Sequence, residues 1–140
     1  MITPDTIEYR DNQPTKDDFF DLYEAIGWNA GYGFTAEELH EAMSHSWYLV
    51  AAYHEGRLVG FGRLLSDGIY HAFVCEMIVR PSYQGQGIGK EILERLIAKC
   101  RAHNIRLVQL FSATGKADFY RKFGFEEKTG ETPGMQLKKA

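Results

Sequence analysis

Cysteine and proline are scarce in this 140-residue chain, with two of the first and four of the second. Cys75 and Cys100 are too few for a disulfide-stapled scaffold, and their apolar contexts read as reduced core thiols of a cytoplasmic protein. No apolar run approaches the roughly 20 residues that a membrane span needs. The start, Met1-Ile2-Thr3-Pro4-Asp5, has neither the basic nor the apolar stretch of a secretory signal. Repeats, low-complexity tracts and Pro/Gly/Ser-rich linkers are missing too, so nothing divides the chain. What is present is 44% hydrophobic, 14% aromatic and 25% charged residues, enough for one domain over 1–140 with its own core.

Charge is distributed unevenly beneath a net −3. Residues 1–55 carry eleven acidic and two basic side chains, and residues 56–140 carry fourteen basic and eight acidic. A basic half suits a polyanion and an acidic half a cationic partner, unless surface charges simply fell this way. A pI near 5.9, with no basic run interleaved with aromatics, excludes nucleic acid as the main partner.

The hydrophobic pattern predicts a mixed α/β order. A strand over 6–10 alternates Ile7 and Tyr9 with polar residues. A helix capped by Thr15 follows, with Phe19, Leu22, Tyr23 and Ile26 at helical spacing and Gly27 as its stop. Residues 27–34 hold three glycines and three aromatics, a mobile, sticky loop. Thr35-Ala36-Glu37-Glu38 is a capping box for a second helix with Leu39, Ala42 and Met43 inward. Three antiparallel strands come next, over 47–54, 58–65 and 69–80. The last is apolar on both faces from Ala72 to Val79, as a covered central strand would be. A third helix then carries the stripe Ile88, Ile92, Leu93, Leu96, Ile97 and Cys100. A buried strand over 106–112, a short helix over 118–123 ending at Gly124, and a tail strand over 134–138 complete the order.

The segment Val79-Arg80-Pro81-Ser82-Tyr83-Gln84-Gly85-Gln86-Gly87-Ile88-Gly89-Lys90 leaves a strand and enters a helix. Unpaired N–H groups at a helix start, together with the helix dipole, suit phosphate oxygens, and glycines let a ligand approach the backbone. A P-loop would need Gly at 84 and Ser or Thr at 91, where Gln84 and Glu91 stand. A dinucleotide fingerprint would need Gly at 90, where Lys90 stands. Gln84, Gly87 and Gly89 instead fit Gln/Arg-x-x-Gly-x-Gly/Ala after Val-x-Pro. This resembles the coenzyme A pyrophosphate loop of the GNAT superfamily of acetyl-CoA-dependent N-acetyltransferases. Phe119-Tyr120-Arg121-Lys122-Phe123-Gly124-Phe125 resembles the same family's late aromatic-Tyr and Gly-Phe pattern.

The resemblance spans nearly the whole chain. It implies a single-domain GNAT fold: a central mixed, mostly antiparallel sheet flanked by helices, with splayed fourth and fifth strands. It implies acetyl-CoA as cosubstrate, with pantetheine pairing to backbone at Met77, Ile78 and Val79. The diphosphate would rest on Gln84, Gly85, Gln86, Gly87, Ile88, Gly89 and Lys90. An N–H near Ile78 or Val79 would stabilise the thioester oxyanion. Tyr120 matches the family's acid for the leaving thiolate; a phenol of pKa about 10 donates to a thiol of about 8.5 only modestly uphill. Glu76 is the candidate base for the attacking amine, its alternative being an ion pair with Arg63 on the neighbouring strand. Many family members place asparagine where this chain has Ala113, which leaves Ser112, Thr114 or Lys116 to replace any contact it makes.

The acceptor, a primary amine of a small molecule, would meet Trp28, Tyr32, Phe34 and Trp47, with Asp21, Glu37 or Glu38 drawing in its charge. A homodimer follows from family habit. The competing readings are a non-catalytic acyl-CoA-binding sensor or partner-binding module and, within the enzyme class, a protein or peptide amine acetyltransferase. No metal is expected: His40 and His45 sit five apart, about 140° round a helix, and the other histidines are scattered. A nucleophile elbow is missing as well, since Ser66 and Ser82 lack its glycine frame.

Overall fold

A computed structural model describes residues 6–138. The elements are β1 (Ile7–Arg10), α1 (Lys16–Ala25), α2 (Ala36–Ser44), β2 (Tyr48–His54), β3 (Arg57–Ser66), β4 (His71–Val79), α3 (Ile88–Ala102), β5 (Leu107–Leu110) and α4 (Ala117–Arg121). Two compact units divide them: residues up to Leu110 hold the sheet and α1–α3, and residues from Phe111 onward hold α4. Among the described residues no helix is long and apolar enough to cross a membrane.

The sheet is mixed and runs β1-β2-β3-β4-β5, antiparallel through β4, with β5 parallel to β4. Helix starts follow the sequence signals. Thr15 Oγ1 accepts from the Asp18 N–H, and Thr35 and Glu38 exchange both bonds of a capping box.

Each sheet face has its own core. On one, α1 and α2 bury Phe19, Leu22, Leu39 and Met43 against Leu49, Ala51, Phe61 and Ile78. On the other, Ile88, Ile92, Leu96 and Cys100 of α3 pack on Val50, Ala52, Val59, Leu64, Ala72 and Val74. Gly62 sets how near α3 lies, because a Cβ there would stand 2.6 Å from Ile92 Cγ2 and 2.9 Å from Met77 Sδ. A flat backbone at that point lets the helix press on the sheet and fixes where its first turn ends up.

Several expectations change. The segment 134–138 is no strand: Met135 and Leu137 are 86% and 93% exposed, because alternation of two apolar residues forms a strand only when a ladder partner takes it. A Cβ on Gly134 would stand 2.5 Å from Phe111 Cε1, so the backbone there passes a ring within its own unit. The strand expected over 106–112 is shorter and only half-buried. Ala42 is exposed, and its carbonyl accepts from Arg63. Residues 28–31 form a 3₁₀ turn where the sequence suggested a mobile loop.

Candidate functional site

The parallel pairing of β4 with β5 covers only His71–Val74 against Leu107–Leu110, while β4 runs on to Val79. A bulge lies where that pairing ends: Arg63 faces Glu76 and Leu64 faces Val74, which leaves Cys75 as the extra residue. Beyond it β4 has a partner on one side only among the described residues, so the two strands part as the resemblance implied.

Ladder alternation says which groups face the opening. The Arg80 N–H donates to Val59 O at 2.8 Å, and counting back in steps of two makes Phe61–Ile78 and Arg63–Glu76 the hydrogen-bonded pairs. The backbone of Met77 and Val79 therefore turns toward the open edge, and that of Ile78 turns toward Phe61. Val79 O on that open side accepts from Gln84 Nε2 at 3.0 Å.

Past Val79 the chain makes a 3₁₀ turn, Pro81–Tyr83, and reaches α3 through Gly85 (φ 76°) and Gly87 (φ 88°). Only glycine holds that left-handed backbone without strain, and nothing lies within 4 Å of where a Cβ on either would be. Gly87 carries no side-chain cap, so the first N–H groups of the 15-residue α3, from Ile88, Gly89 and Lys90, point out of the helix start unpaired by its own ladder. The arrangement offers open space, aligned N–H donors and the Lys90 ammonium, which fits a diphosphate. The loop is held from below. His54 Nδ1 and Tyr83 Oη lie 2.7 Å apart, and Gln86 Nε2 reaches Ser82 O at 3.5 Å.

Arg80 went unread in the sequence beyond its place in the motif. Only 6% exposed, it donates from Nε and Nη2 to Leu58 O and from Nη2 to Asp21 at 2.9 Å, tying the root of the loop to α1. Asp21 is thus engaged with an arginine. Glu37 likewise pairs with Lys16 and Glu38 closes the capping box, so each of the three acids has a partner within the chain. Trp47 is displaced as well: it meets His103 edge-on at 5.1 Å and lies under Lys99, on the α3 side.

Glu76 sits beside the opening in a two-point ion pair, Oε2 with Arg63 Nε at 3.1 Å and Oε1 with Nη2 at 3.3 Å. Arg63 also donates to Ala42 O and Ser46 Oγ, so its buried guanidinium is well satisfied. Tyr23 stands close by. Burial first, then the negative charge of Glu76 and the nearby Tyr32 and Cys75, push its hydroxyl pKa up, with Arg63 opposing. Trp28 meets Tyr23 edge-on at 6.1 Å, and Tyr32 stacks on Phe34 at 5.4 Å with the rings 15° apart. The other three rings that the sequence singled out for an acceptor, Trp28, Tyr32 and Phe34, are exposed, at 42%, 58% and 40%.

In the second unit Tyr120 lies on α4, half-buried between Phe119 (5.1 Å) and Phe125 (6.0 Å). Burial raises its pKa, which keeps the phenol protonated and able to donate. Arg121 bonds both Asp118 and Glu127, bracing the short helix.

Known proteins resemble this chain in sequence and fold. Residues 44–127 match the model of the acetyltransferase (GNAT) domain. A solved structure of an acetyltransferase, GNAT family protein SP0256 from Streptococcus pneumoniae TIGR4, is 32% identical, with TM-score 0.77 over 95% of this chain and 98% of that one. A histone acetyltransferase TAP1 of Glycine max is 33% identical over 81% of this chain and 53% of its own. A chloroplastic serotonin N-acetyltransferase 2 of Oryza sativa subsp. japonica is 34% identical over 71% and 52%. The chain spans about half the length of these two plant relatives.

Proposed function

The chain belongs to the GNAT acetyltransferase family, an acyl-CoA-dependent N-acetyltransferase, and from that premise we propose that it moves the acetyl group of acetyl-CoA directly onto the primary amine of a small molecule. The observation that carries the proposal is the half-open edge of β4 leading straight into an uncapped helix start over two left-handed glycines. Met77 and Val79 present backbone groups to pantetheine along that edge, and the N–H of Val79 is better directed to a thioester oxygen than that of Ile78, which the ladder engages. Gln84 through Lys90 hold the diphosphate through backbone N–H groups, with Lys90 adding charge.

The new bond joins the amine nitrogen to the acetyl carbon as the carbon–sulfur bond breaks, with no covalent enzyme intermediate. Glu76 receives the proton the amine loses, directly or through water, using lone pairs that Arg63 leaves free. Tyr120 gives a proton to the departing thiolate. A small acceptor is supported by the exposed rings of Trp28, Tyr32 and Phe34, of which Trp28 meets the Tyr23 that feels the charge of Glu76, and by the similarity to a protein named for acetylating serotonin.

Calorimetric titration with acetyl-CoA, ATP and NADH tests the cosubstrate. Micromolar binding of acetyl-CoA alone, about −8 kcal/mol, is expected, and no heat from folded protein would sink the reading. Tyr120→Phe should lower turnover in a thiol-release assay by roughly 10²- to 10⁴-fold while acetyl-CoA binding holds. Full activity in that variant would remove Tyr120 from the mechanism.

A further inference from the structure

Residues 27–34 hold three glycines and still present a fixed pair of stacked rings. Asn29 accounts for this. It is 5% exposed, its Nδ2 donates to Phe34 O at 2.8 Å, and the Phe34 N–H donates to its Oδ1 at 2.8 Å. Its own carbonyl accepts from the N–H groups of Tyr32 (3.1 Å) and Gly33 (2.8 Å). Both ends of one side-chain amide are thus used on the backbone of one residue, as a partner strand would use them. The 3₁₀ turn is tied shut just before Thr35 caps α2. Gly33 at φ 67° makes the reversal that brings Phe34 back to Asn29. Two well-formed bonds from a buried amide leave the loop little freedom, and rings held in place lose less entropy on binding a ligand than rings on a loose loop.

We propose that Asn29 is a positioning residue that fixes the stacked Tyr32–Phe34 pair, and that this shelf selects amines carrying a flat apolar ring. The inference rests on the acetyltransferase reading above and on the acceptor lying at the Glu76 side of β4. Exposed ring faces suit the apolar plate of a molecule that carries an ammonium at its other end. A ring-free polyamine gains nothing from the shelf. Tyr23 links the two ends, touching Trp28 edge-on and lying within the fields of Glu76 and Tyr32.

The test is steady-state acetylation of 2-phenylethylamine and, separately, of n-butylamine and spermidine, with acetyl-CoA affinity measured by calorimetry. Wild type should favour 2-phenylethylamine in kcat/KM by about tenfold or more, the scale of one or two ring contacts. Asn29→Ala should raise KM for 2-phenylethylamine roughly tenfold, with kcat and acetyl-CoA affinity within about twofold and the butylamine KM unmoved. Asn29→Asp, which keeps the acceptor oxygen and loses the donor, should behave likewise. Phe34→Leu removes a ring and leaves the staple, so its loss of ring preference supports the shelf even if the Asn29 variants fold poorly. Equal effects of Asn29→Ala on ring-bearing and ring-free amines, no ring preference in wild type, or an unchanged preference in Phe34→Leu each overturn the proposal. Absence of acetyl-CoA binding by folded wild type overturns the acetyltransferase reading, and this inference falls with it.

Discussion

The two faces of the sheet are built on opposite plans. The buried centre of the α3 face is aliphatic and close-fitting, with Ile88, Ile92 and Leu96 pressed onto a strip of backbone that Gly60 and Gly62 keep bare and Tyr9, Trp47, Tyr48 and Tyr83 only half-buried around it. The α1/α2 face is aromatic and carries buried or half-buried charge: Phe19, Tyr23 and Phe61 share it with the Arg63–Glu76 pair, and the Arg80–Asp21 pair ties α1 in. Hydrocarbon packed without gaps is the cheaper way to hold a fold, and buried ion pairs add little net stability over apolar residues of the same size. The second face therefore has a different task. Its polar groups sit on the last part of β4 and at the root of the glycine turn, and α3 on the first face supports the turn proposed to hold the diphosphate.

Three experiments would break or sharpen this contrast. The largest effect is expected from Arg63→Met, which leaves Glu76 unpaired at 14% side-chain exposure and should cost about 3–5 kcal/mol in urea unfolding. Adding Glu76→Leu should recover most of that loss; a double variant as unstable as the single one would show that the pair is needed for folding. Next comes Gly62→Ala on the other face, expected to cost about 1–3 kcal/mol by forcing α3 outward, and to weaken acetyl-CoA binding through the displaced first turn. Unchanged stability there would mean that the close approach of α3 is not what holds its N-terminus.

The smallest effect concerns pH. Burial raises the pKa of Cys75 and Cys100 above the usual thiol value of 9.0, so both favour the neutral form more when folded. That contribution is complete below pH 9 and is lost as pH rises through the folded values, so unfolding free energy should fall on the alkaline side. Cys75 also feels Arg63, which lowers its pKa, and Glu76, which raises it, whereas Cys100 is shifted by burial alone. Glu76→Gln should therefore speed alkylation of Cys75 by less than about tenfold and leave Cys100 alone. Equal acceleration at both thiols would point to general loosening instead.

The sequence resolves what is periodic or local. Helices α1–α3, the three central strands, the Thr35 capping box and the turn of glycines before α3 were all legible, because spacing and caps act within a few residues. What it hides depends on distant partners. Arg80 reads as one letter of a motif, yet its guanidinium is spread between β3 and α1. Asn29 looks like any polar loop residue until Phe34 folds back onto it. Trp47 misleads for the same reason: an aromatic at a strand start says nothing of which face it will join, and here it joins α3. Segment 134–138 shows the reverse error, a strand pattern with no ladder to enter. The glycine turn before α3 and the ring-rich segment 27–34 could be found in advance, and the bracing beneath them could not.

One consequence of the bulge at Cys75 reaches past the splayed edge. It acts as a frameshift in the two-residue grammar of β4. Before it the even-numbered Ala72 and Val74 belong to the α3 core, and after it the odd-numbered Met77 and Val79 do. The strand is in effect two words spelled in opposite parity. Were Cys75 drawn into the ladder as an ordinary paired residue, strict alternation would turn Glu76 toward α3 and away from Arg63, whereas deleting it would leave a plain ladder with Glu76 still opposite Arg63.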